Sequence, residues 1–128
     1  MYDNEMLFRS GATDLTADEA GSYVAYPKCD VPMELRVAVP SMAEASDTIV
    51  VTITLSDDGT NAKEIITMPT ITYANVITSG ITEFFCPVPM TRAYIKVGFN
   101  ITDADAGADF TAGAVVAGLV PAGRYKTR

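Results

Sequence analysis

RAYIKVGFNITDADAGADFTAGAVVAGLV, residues 92 to 120, holds two β-type runs on either side of an acidic turn rich in alanine and glycine. In the first run Ala93, Ile95, Val97, Phe99 and Ile101 are apolar, while Arg92, Tyr94, Lys96, Asn100 and Thr102 are polar or amphipathic. A period of two sends one set of side chains into a core and the other toward solvent or a partner. The second run, Phe110 to Val120, is apolar almost throughout and built from small residues, with Gly113 and Gly118 inside it. A strand of that kind is buried on both faces or lies where another backbone comes close, which predicts a place in the middle of the fold. Together the two runs read as a hairpin.

The same rhythm runs upstream. Met33, Leu35, Val37 and Val39 alternate with Glu34, Arg36 and Ala38, and Pro40 ends that strand. In TIVVTITLS, Thr48 to Ser56, Ile49, Val51, Ile53 and Leu55 share one face and mainly threonine the other. Asp57, Asp58 and Gly59 supply a tight turn, because glycine reaches positive φ and aspartate bonds the local backbone. A strand from Lys63 to Met68 returns antiparallel and stops at Pro69. SYVAYP is a short strand, Thr70 to Ser79 is less regular, and Gly80 to Cys86 is another strand. The PVP at 87 to 89 marks an edge or a crossing between sheets, since proline cannot donate to a ladder. About eight short runs, none with a helical period, predict an all-β, antiparallel β-sandwich. Loops longer than two residues favour a Greek-key or jelly-roll order.

The 128 residues suit one domain, assigned to 22–128 with a short basic C-terminal tail. Residues 1–21 read as an extended N-terminal arm and linker: Met6, Leu7 and Phe8 form an apolar patch, followed by polar SGATDLTADEAG. The patch either folds back as an edge strand or reaches a neighbouring subunit. The start of the sequence has neither a secretory nor a transit pattern, so the expected compartment is the one where the chain is made, with Cys29 and Cys86 as reduced, packed thiols. Apolar stretches fall far below the about 18 residues of a membrane helix, so no membrane partner is expected. A net charge of -7 argues against nucleic acid as a partner. Arg124, Lys126 and Arg128 concentrate basic charge in the last five positions, either as a solvated tail or as an arm that docks on an acidic partner.

The sequence lacks the residue sets of the common catalytic chemistries. There is no histidine, hence no commonest general base or metal ligand. Paired carboxylates could serve a glycosidase, but the acidic residues fall in loops or, for Glu34 and Glu64, on outward-facing strand positions, and no tryptophan is present to stack on a sugar. Asp103 and Asp105 begin like a calcium loop, yet Gly107 comes one position early and Ala114 stands where the last ligand belongs, so the turn is read as a plain polar connection. Asn100 to Thr102 is a chance sequon, and AGAVVAG lacks the lysine and helix of a phosphate loop. The expectation is no enzyme, no cofactor and no metal.

At Cys86 to Leu119 the chain resembles the jelly-roll capsid cement, or decoration, proteins of tailed bacteriophages. The resemblance rests on Pro89, Arg92, Tyr94, Ile95, Lys96 and Val97 in one strand, then Thr111, Ala112, Gly113, Ala117, Gly118 and Leu119 in the next. Ala93 interrupts the adjacent arginine and tyrosine of that pattern. MLFRSGATDLTA is similar to the extended opening of those proteins, and SDDGT lies where their middle hairpin turns. The resemblance implies a non-enzymatic virion protein, made in the bacterial host cytoplasm. It would sit as a homotrimer on the capsid exterior, bridging major capsid protein subunits at threefold or quasi-threefold positions. Met6, Leu7, Phe8, Arg124, Lys126 and Arg128 are the candidate capsid or subunit contacts. The alternative is a carbohydrate-binding or host-attachment β-sandwich, and a head or tail connector is a third reading.

Overall fold

A computed structural model describes residues 7–25, 33–42, 47–89, 92–102 and 112–121. In chain order the strands are β1 (Leu7–Ser10), β2 (Val24–Ala25), β3 (Met33–Ala38), β4 (Thr48–Ser56), β5 (Ala62–Thr67), β6 (Ile71–Thr72), β7 (Glu83–Val88), β8 (Tyr94–Thr102) and β9 (Val116–Pro121). They form two antiparallel sheets, one in the order β1-β9-β3-β7 and the other β2-β8-β4-β5, with β6 also on β4. The pairs β1–β9, β2–β8, β3–β7 and β4–β5 are nested, each enclosed by the one before it in sequence.

The two sheets close on a single core. Ile49, Val51, Ile53 and Leu55 of β4 and Ile95, Val97 and Phe99 of β8 face Leu35 and Val37 of β3, Val88 of β7 and Ala117 and Leu119 of β9. Each large apolar side chain buried this way is worth about 1.5–3 kcal/mol. The antiparallel sandwich expected from the alternation is therefore the observed architecture. β4 runs from Thr48 to Ser56 as read from the sequence, and β5 is offset by one residue, Ala62–Thr67.

The two runs of residues 92 to 120 are not a hairpin. β8 pairs with β2 and β4, whereas β9 pairs with β1 and β3 in the opposite sheet. Each run has its own apolar face to bury, and placing them in facing sheets lets both faces meet one core. The acidic turn 103–109 lies outside the described residues. β9 is an interior strand, and Ala117, Gly118, Leu119 and Val120 are all buried, as the small-residue pattern predicted. It begins only at Val116, so Gly113 is in the preceding segment rather than in the strand. There Gly113 donates its N–H to the Ser41 carbonyl at 3.0 Å.

Pro87 falls inside β7, at the sheet edge. The Val39 N–H donates to the Thr82 carbonyl, so the alternation of an antiparallel ladder turns the backbone of Phe84, Cys86 and Val88 toward β3 and that of Pro87 away from it. The missing donor thus faces the open edge, the position where a strand tolerates proline.

Residues 7–20 of the expected arm and linker run along the sandwich. Leu15 is fully buried in the core and bridges Ala112, and Glu19 and Phe99 exchange backbone hydrogen bonds of 2.9 and 2.7 Å. Arg9 is buried and fixes this path. Its Nε and Nη2 donate to the two Glu19 carboxylate oxygens at 2.9 and 3.1 Å. Its Nη1 donates to the carbonyls of Thr13 and Val115, both at 2.9 Å. One guanidinium thereby joins β1, the following loop and the approach to β9.

Two substitutions check this packing. In Arg9→Ala the bidentate pair and both carbonyl contacts are lost, and chemical denaturation should show a loss of about 3 kcal/mol, with Arg9→Lys recovering only part of it. A Cβ at Gly113 would lie 2.7 Å from the Ser41 hydroxyl oxygen and 2.9 Å from Pro40 Cγ. Gly113→Val should therefore cost about 1–3 kcal/mol by the same measurement, and wild-type stability would show that the Pro40–Ser41 segment yields freely.

Candidate functional site

Three surface features collect polar or apolar side chains beyond what the fold itself uses. The first lies on the outer face of the β2-β8-β4-β5 sheet. The register sets Thr52 beside Gly98 and Thr54 beside Lys96. Gly98 has no side chain, and a Cβ there would come within 3.2 Å of the Glu19 and Ala20 carbonyl oxygens. The segment around Glu19 can therefore lie close against β8, leaving a cleft of about 390 Å³ lined by Asp18, Thr52, Thr54, Lys96, Gly98 and Asn100. Asp18 accepts from the Ile101 N–H at 2.8 Å and, with the Asn100 amide nitrogen turned toward it, from Asn100 at 3.0 and 3.1 Å. The Lys96 ammonium stands 4.8 Å from the centre of the Tyr23 ring, within cation–π range. The cleft thus offers hydroxyl, amide, ammonium and carboxylate groups to a polar partner.

The second feature is where the chain crosses from β6 to β7. A single π-helical turn, Ala74–Thr78, makes the crossing. Its fold is held by Asn75, whose side-chain oxygen accepts from the Thr72 N–H at 3.1 Å and the Thr72 hydroxyl at 2.8 Å. Met68, Pro69, Thr70, Asn75, Phe84 and Phe85 line a cleft of about 450 Å³ there. Among the described residues the exposed large apolar side chains are Ile65 on β5, Ile77 in the helical turn and Ile81 before β7.

The third is the turn between β4 and β5. Asp58 Oδ1 accepts from the N–H groups of Asn61 at 2.8 Å and Thr60 at 2.9 Å and from the Ser56 hydroxyl at 3.0 Å. Asp58 Oδ2 accepts from the Asn61 amide at 3.0 Å. These donors, the Asn61 and Thr60 N–H groups foremost, hold the Asp58 carboxyl well below the usual carboxylate range. Beside the turn Arg92 donates through Nε to Glu64 at 2.8 Å and through Nη1 to Asp57 at 2.9 Å, tying the turn to the start of β8. The Glu64 hydrogen bond, and after it the charge of Asp57, pushes the Arg92 pKa further up.

Several residues fall elsewhere than the alternation suggested. Glu34 is 4% exposed, because its cross-strand neighbours are Pro87 on one side and Val120 on the other, in the middle of the sheet. Glu64 shares the Leu55 face and meets Arg92 at its rim. Cys86 is a free thiol packed against the core, and burial, with the Glu34 charge second, pushes its pKa up. Of the expected contact residues, Leu7 pairs with Gly118 and Phe8 packs against the core. Met6, Arg124, Lys126 and Arg128, like Cys29, lie outside the described residues. Among the described residues no three histidines, cysteines or carboxylates gather as metal ligands, and no helix is long and apolar enough to cross a membrane.

No protein-family model matches this chain, and no curated protein matches it.

The Asp58 turn yields a pH test. A carboxyl whose folded pKa lies below its unfolded value, about 3.9, contributes stability in full above that value and loses it as pH falls further. Asp58→Asn should therefore lower the melting temperature near neutral pH, and its gap to the parent protein should narrow below pH about 4. A gap that stays constant down to pH about 2 would show that the carboxylate charge does not hold the turn.

Proposed function

We propose that this protein decorates and stabilises a bacteriophage capsid, bridging major capsid protein subunits from the exterior as a homotrimer at threefold or quasi-threefold positions. The observation that carries the proposal is the nested strand pairing, β1–β9 around β2–β8 around β3–β7 around β4–β5, split between two sheets. That order is the one expected of a jelly roll, and it supports the reading taken from the strands β8 and β9. Arg92, a residue of the resemblance, binds the β4–β5 turn to β8, and Gly113 lets its segment lie against Pro40 and Ser41. Both are positions where a small sandwich gains rigidity, which suits a clamp that holds other subunits. Three linked sites on a trimer would bind with high effective concentration even if each contact is weak.

The experiment is binding to expanded capsids that lack the protein, together with mass determination in solution. The expected result is a trimeric unit, single or paired in solution, that saturates the capsids at three chains per site. A protein that ignores such capsids and instead binds glycans in a calcium-dependent manner on an array would support the carbohydrate-binding reading.

A further inference from the structure

We propose that two copies of this chain join through their β5 edges, antiparallel about Ile65, to make one continuous sheet across a twofold axis. This inference does not rest on the capsid reading.

Among the described residues the edge strands are β1 and β7 of one sheet and β2, β5 and the two-residue β6 of the other, and all but β5 are short or blunted. β2 is two residues long, β1 is four residues with a register shift between Leu7 and Arg9, and β7 carries Pro87 with its missing donor on the open side. β5 is six residues long, has no proline, and leaves Ile65 65% exposed. A long edge with an exposed branched apolar residue is a template for another strand.

The ladder shows which backbone groups are open. The Met68 N–H donates to the Val51 carbonyl at 3.0 Å, and the register continues Thr52 with Thr67, Ile53 with Ile66 and Thr54 with Ile65. Alternation of an antiparallel ladder then turns the N–H and C=O of Ile66 toward β4 and those of Ile65 and Thr67 away from it. Outward backbone groups and the exposed side chain therefore coincide at Ile65.

The strand is self-complementary in one register. Centred on Ile65, two copies set Ile65 against Ile65, Lys63 opposite Thr67 and Glu64 opposite Ile66, so no like charges face each other. A shift of two residues one way opposes Glu64 to its own copy, and a shift the other way brings Pro69, which has no N–H, opposite Lys63 and separates the two Ile65 side chains. A shift of one residue puts the wrong faces together. The joined sheet ends at the short β2 on both sides, so the contact closes at two copies rather than growing into a fibre.

The test uses the full chain with Cys29 and Cys86 replaced by serine. Ile65→Pro removes an N–H that the β4 ladder does not use, and such a site tolerates proline. Ile65→Lys serves as a second blocking variant if the proline variant does not fold. By light scattering across a concentration series the parent should reach twice the mass of either variant, whatever unit the variant itself forms. A trimer that becomes a hexamer would satisfy this as well as a monomer that becomes a dimer. Ile65→Cys should form a disulfide between copies on mild oxidation, since opposed residues of such a pair lie within disulfide reach, whereas Thr67→Cys should not. Equal masses for parent and variants, or crosslinking at Thr67→Cys in place of Ile65→Cys, would overturn the proposal.

Discussion

The nine-residue ladder between β4 and β8 is the constraint on which the rest of the structure depends. Its register, Thr48 with Thr102 through Ser56 with Tyr94, puts Ile49, Val51, Ile53 and Leu55 on the same face as Ile101, Phe99, Val97 and Ile95. A slip of one residue would turn every one of these side chains to the outside, so the apolar pattern itself holds the register. The same pairing lays Thr52, Thr54, Lys96, Gly98 and Asn100 on the outer face, and the polar cleft exists because Gly98 leaves room in that row.

The first sheet depends on contacts that are distant in sequence. Arg9 is set between Glu19, Thr13 and Val115, and it orders a segment whose local composition is that of a linker. Leu15 adds a fully buried apolar side chain to the same segment. At another turn Arg92 plays the corresponding part with Asp57 and Glu64, while Asp58 uses its carboxylate as an acceptor for the local backbone. Charge in this protein thus does much of its work inside the chain, in pairs that close loops.

Edges decide how such a sandwich can meet other molecules. Pro87, the brevity of β2 and the irregular start of β1 each limit strand addition, and β5 stands apart with Ile65 on its open side. The crossing from β6 to β7 leaves Ile77 and Ile81 exposed, and Met68, Asn75, Phe84 and Phe85 line a cleft there. Among the described residues the exposed large apolar side chains therefore lie on the edge strand β5 and in the crossing from β6 to β7.

Much of this was legible in single stretches. TIVVTITLS could only be a half-buried strand, the Asp57–Gly59 turn had to follow it, and the small residues of 117 to 120 required an interior position; in each case the cause is local, a period of two or a backbone conformation. Which strands pair was not legible, because alternation specifies a buried face and says nothing about the neighbour. Residues 92 to 120 read as a hairpin, yet β8 and β9 face each other across the core. The period of two places Glu34 at solvent, whereas Pro87 and Val120 flank it in the sheet, and the roles of Arg9 and Gly98 depend on partners in other parts of the chain. Local alternation and turn residues account for most of the strands, the inward faces of β3, β4 and β8, and the sandwich class. The order of the strands, the burial of Arg9 and Glu34 and the open edge at β5 follow instead from packing between segments that sequence spacing leaves unrelated.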